Sequence, residues 1–484
     1  MKITDIKIKN YKAFYCNDSE YTISLDRKNL LIYGENGSGK SSLYSALIEF
    51  FEASHQEKKI IENIFIDESE KGNAFIELSF KKIGRKAEKE IVRWDNKDNK
   101  KIVNSLVEDT NKIKGFFDYR KLLKTHFIEK SEEIDLFDLM IDEILYYSIN
   151  DFTKNSFGEE WKEIKELGES DRRGTGYRNE LQPLIDGFNM GLHQKLNSIE
   201  KKTNEILIYF GYDIEISFDL TQIGTAINKK IKNSIDKGKI YLGIKFHGKD
   251  IKSHHTFLNE ARLTAVGVSL YLASILDNPM EEKFKILVLD DVLIGLDTGN
   301  RIPFIRVLID HFEEFQIILT TYDKTWFELL KSYFEVKQWN FIEMYSKKLV
   351  EGGCEIPVIY DNQDFIVKAE TYLEQNDYKA SSVYIRSEFE KLIKNYCHKK
   401  HLKVKYDKQA FKVDSNSFWI AIKEQKKISE DLMIKVELYR GIVMNPVSHY
   451  TLEKPQYKTE IKDTITTIKL LKEELEKLLI GKSK

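Results

Sequence analysis

Residues 34–41 read GENGSGKS, and this stretch decides the fold of the chain around it. It fits the pattern G-x-x-x-x-G-K-[ST] at every fixed position, which is typical of a loop that wraps phosphate groups. The apolar residues 30–33 before it indicate a short buried strand, and residues 42–48 after it carry apolar side chains at helical spacing. Strand, glycine-rich loop and helix together form the context that this pattern needs.

Each part of the loop has a physical role in holding phosphate. Glycines let the backbone turn its N–H groups inward, and the start of the following helix adds partial positive charge. We expect Lys40 to reach the β- and γ-phosphates of ATP and the Ser41 hydroxyl to ligate Mg²⁺. The residues predicted to contact the nucleotide here are Gly34, Glu35, Asn36, Gly37, Ser38, Gly39, Lys40, Ser41 and Ser42.

Composition sets wide bounds on the rest of the chain. A length of 484 residues allows roughly two to four domains, and a net charge of −2 provides no global basic field for nucleic acid. The three cysteines form no C-x-x-C pair, which argues against a zinc site and suits a reducing compartment. The N-terminus lacks a signal-peptide core, and no apolar run could span a bilayer. We therefore expect a cytoplasmic protein without membrane contact.

Hydrophobic periodicity divides the chain into alternating and purely helical regions. Strands are predicted at 3–8, 21–25, 29–33, 74–80, 90–94, 214–220, 239–246, 285–289 and 316–320. Helices are predicted at 260–276 and 302–311, and from 116 to about 210 with a polar, glycine-bearing break at 169–176. Beyond residue 361 only helices are predicted, after a boundary marked by a glycine pair at 352–353.

Residues 284–291 read as an apolar strand that ends in two carboxylates, Asp290 and Asp291. In a phosphate-loop enzyme such a strand lies beside the strand that precedes the loop. We expect Asp290 to hold the Mg²⁺ shell and Asp291 to polarise the attacking water as a general base. The segment 292–297, VLIGLD, follows directly and ends in a glycine-bearing turn.

Together these motifs resemble the ABC-type ATPase heads of the SMC, RecF and SbcC group. The resemblance covers roughly residues 1–345 and implies a nucleotide site assembled from both ends of that region. It makes the turn at 295–297 a D-loop, in which Asp297 touches an opposing subunit. It also implies ATP hydrolysis and an ATP-sandwiched dimer, with a higher oligomer built from such dimers left open.

The resemblance extends to a signature segment just before the acidic strand. Residues 258–265, LNEARLTA, align without gaps to the family's L-S-x-G-E pattern, with Asn259 for the serine and Ala261 for the glycine. Arg262 replaces the acid of that pattern. In the family this segment offers a helix N-terminus to ATP held by another subunit, so the resemblance implies nucleotide contacts from Asn259, Glu260 and Ala261.

Two further family elements depart from the pattern. Tyr322 follows the strand 316–320 at the position of a γ-phosphate-sensing histidine, and the resemblance therefore makes it catalytic alongside Asp291. A phenol can donate a hydrogen bond but is a poor base near neutral pH. Residues 116–120, FFDYR, lie where the family has its Q-loop, yet this segment contains no glutamine.

Residues 360–484 resemble a HEPN-type helical bundle with an Asn-Pro-x-Ser-His turn. HEPN ribonucleases use an arginine and a histidine without a metal, and anticodon nucleases fused to an ABC ATPase use an R-x-x-x-E helix and a distant histidine. The candidate ribonuclease residues are Arg386, Glu390, Arg440 and His449. An ordinary i,i+4 ion pair and a capped turn account for the same residues, and we prefer this interpretation, in which the bundle docks a partner. The stretch 418–420 is expected to add an apolar surface for that partner.

The expected fold class is an α/β ABC-type ATPase head with a helical insertion, followed by an all-α C-terminal domain. The first lobe of the head spans 1–115, a helical insertion or short arm 116–210, and the second lobe 211–350. The helical domain spans 360–484.

A short-armed head with an accessory bundle resembles ATPase subunits of bacterial anti-phage systems, such as the Septu ATPase and retron-associated ATPases. This resemblance implies a regulatory ATPase that switches a separate nuclease or toxin effector through ATP-dependent dimerisation. The candidate nucleic-acid partners are DNA, tRNA and a retron RNA–DNA. Two alternatives remain: a self-contained HEPN-type ribonuclease controlled by its own ATPase, and a RecF-like DNA-repair ATPase.

Overall fold

The protein is described by a computed structural model, in which the chain divides into two compact units, residues 1–360 and 361–484. The structure describes all residues except 17–18, 83–88, 114, 119–134, 170–174, 227–233, 252–256, 278–283, 293–295, 297, 335–337, 350–352, 362–364, 406–413, 447–456 and 481–484. Among the described residues, no helix is both long and apolar enough to cross a bilayer.

All strands of the described residues belong to the first unit or end at its boundary. In chain order they are β1 (Lys2–Lys9), β2 (Tyr21–Ser24), β3 (Asn29–Gly34), β4 (Phe75–Lys81), β5 (Lys89–Asp95), β6 (Gly115–Asp118), β7 (Ile214–Thr221), β8 (Gly224–Ala226), β9 (Ser234–Asp236), β10 (Lys239–Phe246), β11 (Lys249–Ile251), β12 (Ile286–Asp290), β13 (Gln316–Thr321), β14 (Trp339–Lys348) and β15 (Glu355–Asp361).

Helices lie between these strands and make up the second unit. In chain order they are α1 (Lys40–Glu52), α2 (Ser105–Ile113), α3 (Phe157–Glu169), α4 (Thr175–Leu207), α5 (Glu260–Leu276), α6 (Thr298–His311), α7 (Lys324–Tyr333), α8 (Phe365–Glu374), α9 (Tyr378–Lys399), α10 (Ser415–Glu424), α11 (Glu430–Tyr439) and α12 (Lys458–Ile480). Short turns of 3-10 helix lie at Glu68–Glu70 and Ile208–Phe210, and π-helical turns lie at Leu139–Ile144 and Arg440–Met444.

The central feature of the first unit is a six-stranded sheet with the order β15-β14-β3-β13-β12-β6. From β14 to β6 the neighbouring strands are parallel. Successive residues of β3 enter opposite cores, because Leu30 and Ile32 belong to the core that contains residues of α1, while Leu31 and Tyr33 belong to the core that contains residues of α5 and α7. A strand that is buried on both faces needs a continuous apolar run, and this requirement explains why β3, β12 and β13 contain continuous apolar runs rather than alternating ones.

A four-stranded antiparallel sheet, β2-β1-β4-β5, covers one of these cores. Its strand β1 pairs with β4 through an irregular register between Ile3 and Asp5. This irregularity keeps Ile3, Ile6 and Ile8 all buried, although Ile3 and Ile6 are an odd number of residues apart. A second antiparallel sheet, β11-β10-β7, and the hairpin β8-β9 follow the helices α3 and α4.

The predicted helix starting at residue 116 is wrong. Phe116 and Phe117 lie in β6, which pairs in parallel with β12 and buries both rings. A short apolar run does not reveal by periodicity whether it is a buried strand or a helix, and β6 contains only four residues. The predicted break at 169–176 lies between α3 and α4, and its residues 170–174 are outside the described part of the chain.

The second unit is all-helical in its described residues and has a hydrophobic core of its own. That core contains Trp419, whose ring is fully buried and whose Nε1 donates to Glu437. The expected apolar surface at 418–420 is therefore wrong for Trp419, because the indole fills the bundle instead. Of these three residues only Ile420 is exposed, with 40% of its surface accessible.

Candidate nucleotide site

The loop between β3 and α1 has the backbone that phosphate binding requires. Gly37 and Gly39 have φ angles of 85° and 98°, in the left-handed region that other residues avoid. A Cβ atom on Gly34 would lie 2.4 Å from Ser38 Oγ, so the loop also needs glycine where the strand ends. The strand, loop and helix predicted from the sequence are therefore all present.

Lys40 is the first residue of α1, and its side chain is only 4% exposed. Its Nζ donates to the carbonyl oxygens of Gly34 and Glu35 over 2.6 and 3.3 Å. The same ammonium lies 3.6 Å from Asp291 Oδ2. The loop thus encloses one positive charge whose neighbours are all oxygen acceptors, in the position predicted for a phosphate-binding lysine.

Asp290 lies at the end of β12, between the strands that carry Thr320 and Asp118. Ser41 Oγ donates to Asp290 Oδ2 over 2.9 Å, and Thr320 Oγ1 donates to Asp290 Oδ1 over 2.7 Å. Burial raises the pKa of this carboxyl, while the hydrogen bonds from Thr320 and Ser41 and the charge of Lys40 oppose the rise. The negative charge of Asp118 acts in the same direction as burial.

Asp291 is held in an unusual backbone conformation. Its φ angle is 51°, and its N–H donates to Thr320 Oγ1 over 3.1 Å. Burial raises the pKa of its carboxyl, the Lys40 ammonium lowers it, and repulsion from Asp290 raises it further. Strained backbone and shifted carboxyl pKa values are features that cluster at functional sites.

The residues of this cluster fit a magnesium nucleotide. Ser38 Oγ is buried and has no hydrogen-bond partner within the described residues. The Ser41 hydroxyl and the Asp290 carboxylate lie within hydrogen-bond distance of each other and are hard oxygen ligands of the kind that Mg²⁺ prefers. We therefore retain the assignment of phosphates to Lys40 and of the metal to Ser41 and Asp290 as a proposal.

The predicted signature turn begins α5 as the sequence indicated. Asn259 is the N-cap residue, and its Oδ1 accepts a hydrogen bond of 3.0 Å from the Arg262 N–H. The Arg262 guanidinium packs over the rings of Tyr212 and Phe246, at 5.5 and 4.8 Å from their centroids. In the described part of the chain, no hydrogen bond joins Asn259 or Arg262 to the loop at 34–42. Glu260 and Ala261 occupy the first turn of α5.

Tyr322 follows β13 directly, and 43% of its surface is exposed. The end of β13 contacts the predicted catalytic acid through Thr320, whose Oγ1 accepts a hydrogen bond from the Asp291 N–H. The Tyr322 hydroxyl is assigned a catalytic role only by the resemblance. Gly295 and Asp297 of the predicted D-loop and Tyr119 and Arg120 of the predicted Q-loop segment lie outside the described residues.

Three residues around the site were given no role by the sequence reasoning. Thr320 bonds to both neighbouring aspartates, Asp118 lies opposite Asp290 in the sheet, and Arg301 contacts the segment after Tyr322. Thr320 could have been singled out from the sequence, because it is a polar residue at the end of the apolar run in 316–321. No sequence pattern singles out Arg301, because its partners Leu296 and Asp323 belong to no motif that includes it.

The candidate ribonuclease residues of the second unit are engaged in internal contacts. Arg386 Nε donates to Glu390 over 3.0 Å, and its Nη1 donates to the Met444 carbonyl over 3.1 Å. The buried Arg440 donates to Glu437 over 3.2 Å and to Asn416 over 3.0 Å. His449 lies outside the described residues. The structure thus brings Arg386 close to the π-helical turn at Arg440–Met444 and provides both arginines with partners.

The chain belongs to the RecF/RecN/SMC N terminal domain family, whose model matches residues 2–342. It is therefore an ATPase that binds and hydrolyses ATP, and the predicted resemblance to the SMC and RecF group is confirmed. No curated protein matches the chain.

Solved structures of heads from this group also align with the chain. An SMC head with an extended coiled coil, bound to the C-terminal domain of ScpA and derived from Pyrococcus furiosus, is 14% identical and covers 78% of this chain and 99% of its own, with a TM-score of 0.40. The SMC head domain from Thermotoga maritima is 14% identical, covering 75% and 100%, with a TM-score of 0.35. The recombination mediator RecF with ATP is 14% identical, covering 75% and 98%, with a TM-score of 0.44.

Proposed function

We propose that this ATPase is a regulatory switch whose head pairs with a second copy when both hold ATP, and that the paired state controls a separate effector. The observation that supports this proposal is the presence, in the described residues, of two candidate phosphate-binding elements that share no hydrogen bond through Asn259 or Arg262. The loop at 34–42 has its own lysine and carboxylates, whereas the capped start of α5 has no hydrogen bond to that loop from Asn259 or Arg262.

A helix N-terminus attracts anions through its free N–H groups and its partial positive charge. Pairing two heads about a two-fold axis would place the Asn259–Ala261 turn of each copy at the nucleotide of the other. The same axis would bring Asp297 to the opposing subunit. Each complete site then needs two chains, and hydrolysis ends the paired state, which is the property that a switch requires.

Within one site the protein residues divide the work. Lys40 holds the β- and γ-phosphates, while Ser41 and Asp290 hold Mg²⁺, which neutralises phosphate charge when it is bound. Asp291 accepts the proton of the attacking water, and Tyr322 donates a hydrogen bond toward the γ-phosphate. The raised pKa of Asp291, caused first by burial, makes this carboxylate a stronger base than a solvated aspartate.

The second unit is proposed to dock the effector. Arg386 and Arg440 are both engaged by neighbouring groups of the bundle, which favours a structural role over a free catalytic one. On the surface of the bundle, Ile434, Leu438 and Ile442 are 61%, 53% and 39% exposed and recur every four residues along one helical face. An exposed apolar stripe of this kind suits a protein partner.

The proposed effector is a nuclease or toxin of a bacterial anti-phage system, by the resemblance of a short-armed head with a bundle to the Septu and retron-associated ATPases. The test is phage challenge of cells that carry the chain alone, a candidate nuclease encoded next to it alone, or both. We expect protection only with both genes, its loss with Lys40→Ala, and its retention with His449→Ala.

Two outcomes would replace this proposal. Toxicity of the chain alone that is lost with His449→Ala, while the protein stays folded, would identify a self-contained ribonuclease. Stimulation of ATP hydrolysis by duplex DNA or DNA ends, without any requirement for a neighbouring gene, would identify a RecF-like repair ATPase.

A further inference from the structure

We infer that Arg301 is a positioning residue for ATP hydrolysis, which connects the backbone of Leu296 to the segment that carries Tyr322. Arg301 lies in the first turn of α6. The two segments that it joins follow neighbouring strands of the central sheet, one after β12 and the other after β13.

The Arg301 guanidinium contacts both segments at once. Its Nε donates to the Leu296 carbonyl oxygen over 3.1 Å, and its Nη1 donates to Asp323 Oδ2 over 2.6 Å. The side chain is 14% exposed and packs 5.6 Å from the centroid of the Trp326 ring. Only the planar fork of an arginine has donors spaced for two such acceptors, whereas a lysine offers one compact charge.

Asp323 is held on the other side by its own helix. Its Oδ1 accepts a hydrogen bond of 3.0 Å from the Trp326 N–H and so caps α7. Although burial opposes ionisation, the bonds from Arg301 and from the Trp326 N–H keep the pKa of Asp323 below its usual range. The Arg301–Asp323 pair is thus charged at neutral pH, and it fixes the residue that directly follows Tyr322.

The same segment is connected to the catalytic acid. Thr320 lies two residues before Tyr322 and accepts a hydrogen bond from the Asp291 N–H. A displacement of Asp323 is therefore transmitted through the end of β13 to the backbone of Asp291, whose carboxylate is proposed to activate water.

The neighbouring residue of α6 extends this link to the predicted signature turn. Asn300 Nδ2 donates to the Tyr212 hydroxyl, and the Tyr212 ring packs against Arg262 in the first turn of α5. Asn300 and Arg301 thus connect the start of α6 to two other parts of the head. Arg301 contacts the segment that carries Tyr322, and Asn300 contacts Tyr212, which packs against the start of α5.

None of the hydrogen bonds of Arg301 involves residues 34–42. Loss of its side chain should therefore slow the chemical step without weakening ATP binding, which separates kcat from KM. For Arg301→Ala we expect kcat to fall by about tenfold, with KM for ATP changed by less than about twofold, because a charge-assisted contact that orients a reacting group is lost.

Two further variants distinguish positioning from simple destabilisation. Arg301→Lys keeps a cation near Asp323 but cannot hold both acceptors, so its kcat should lie between those of the wild type and Arg301→Ala. Asp323→Asn retains a side-chain oxygen to cap α7 but replaces the oxygen that accepts from Arg301 with an NH2 donor, so it should reproduce the kcat of Arg301→Ala. The double variant should be no slower than either single variant, because both remove the same link.

The matched control is Lys285→Ala. Lys285 forms a 2.7 Å ion pair with Glu314 next to the opposite ends of β12 and β13. This variant breaks a comparable pair outside the nucleotide site and should leave kcat unchanged, while thermal unfolding is followed for every variant.

The inference is overturned by a wild-type kcat in Arg301→Ala, by an equal loss in Lys285→Ala, or by a rise in KM without a fall in kcat. If Arg301→Ala does not fold, Asp323→Asn decides alone: a normal kcat in that variant rejects the link, and a tenfold loss with normal KM supports it.

Discussion

Lys40, Asp290 and Asp291 form a buried group with one positive and two negative charges. Burial raises the pKa of both carboxyls, so the charged forms that catalysis needs are less favourable in the folded protein than in water. Bound Mg²⁺ would supply positive charge to the carboxylates, and bound phosphates would supply negative charge to Lys40. The cluster therefore lowers the stability of the nucleotide-free protein while it provides the groups for ATP binding and hydrolysis, as is usual at catalytic sites.

Lys40→Ala should weaken ATP binding by on the order of hundredfold, because charge-assisted contacts to the phosphates are lost. Calorimetric titration with ATP and Mg²⁺ measures this effect. Lys12→Ala is the matched control. Lys12 lies outside the loop and forms a 2.9 Å ion pair with Glu49, which is on α1, the helix that begins with Lys40. Near wild-type affinity in Lys40→Ala would show that the loop has been assigned wrongly.

Asp291→Asn should increase the free energy of unfolding of the nucleotide-free protein at pH 7 by roughly 1 kcal/mol. This increase is measured as a higher melting temperature. The raised pKa, caused mainly by burial, means that ionised Asp291 destabilises the folded state above that pKa. Asparagine also tolerates the left-handed backbone at this position. The gain should shrink as the pH falls through the raised pKa of Asp291, because the aspartate itself then becomes protonated. A constant or absent gain across this range would contradict the pKa shift.

The sequence was sufficient for residues whose partners are local or lie in recognisable motifs. The loop glycines, Lys40, Ser41 and the two aspartates belong to contiguous patterns, so each could be assigned without the fold. Asp118 contributes through strand register and Arg301 through contacts with segments that follow two different strands, which no local pattern encodes, while Thr320 stands out only as a polar residue in an apolar strand. Their roles required the structure.

At the scale of elements, the capped start of α5 is the feature on which the dimer proposal depends. Asn259 caps this helix, because its Oδ1 accepts a hydrogen bond from the Arg262 N–H. The cap and the proposed contact with a partner's nucleotide thus depend on the same residue.

Asn259→Ala should cost about 1 kcal/mol of stability through the lost cap and should also reduce ATP hydrolysis, while Asn259→Ser should restore both. Asp377→Ala is the control, since Asp377 caps α9 by accepting the Ala380 N–H. It should carry the same stability cost without changing hydrolysis. Equal hydrolysis in the two alanine variants would remove α5 from the mechanism.

Strands were predictable where an apolar run is bounded by polar or glycine residues. The strands at 29–34, 286–290 and 316–321 are of this kind, and all three are present. The sequence analysis assigned no strand to β8, β9 and β11, whose three residues show no periodicity, or to the longer β14 and β15. β6 was mistaken for a helix start, and its place beside β12 depends on a parallel pairing between residues far apart in the chain.

At the scale of the whole molecule, the two units have separate hydrophobic cores, and the core of the second contains only residues from 366 onward. Removing residues 361–484 should therefore leave a folded head with basal ATP hydrolysis and abolish capture of the effector. Steady-state kinetics and co-purification with the neighbouring nuclease measure the two effects. A truncated head that still captured the nuclease would place the docking surface elsewhere.

The mass of the Asp291→Asn variant in solution tests the central claim most directly. Without the carboxylate that activates water, this variant should bind ATP and Mg²⁺ and retain them. Light scattering should then give a mass near twice the 56.9 kDa of one chain, or an even multiple of it, and a lower mass without nucleotide. A variant that binds ATP yet stays at 56.9 kDa would contradict a nucleotide site built from two chains.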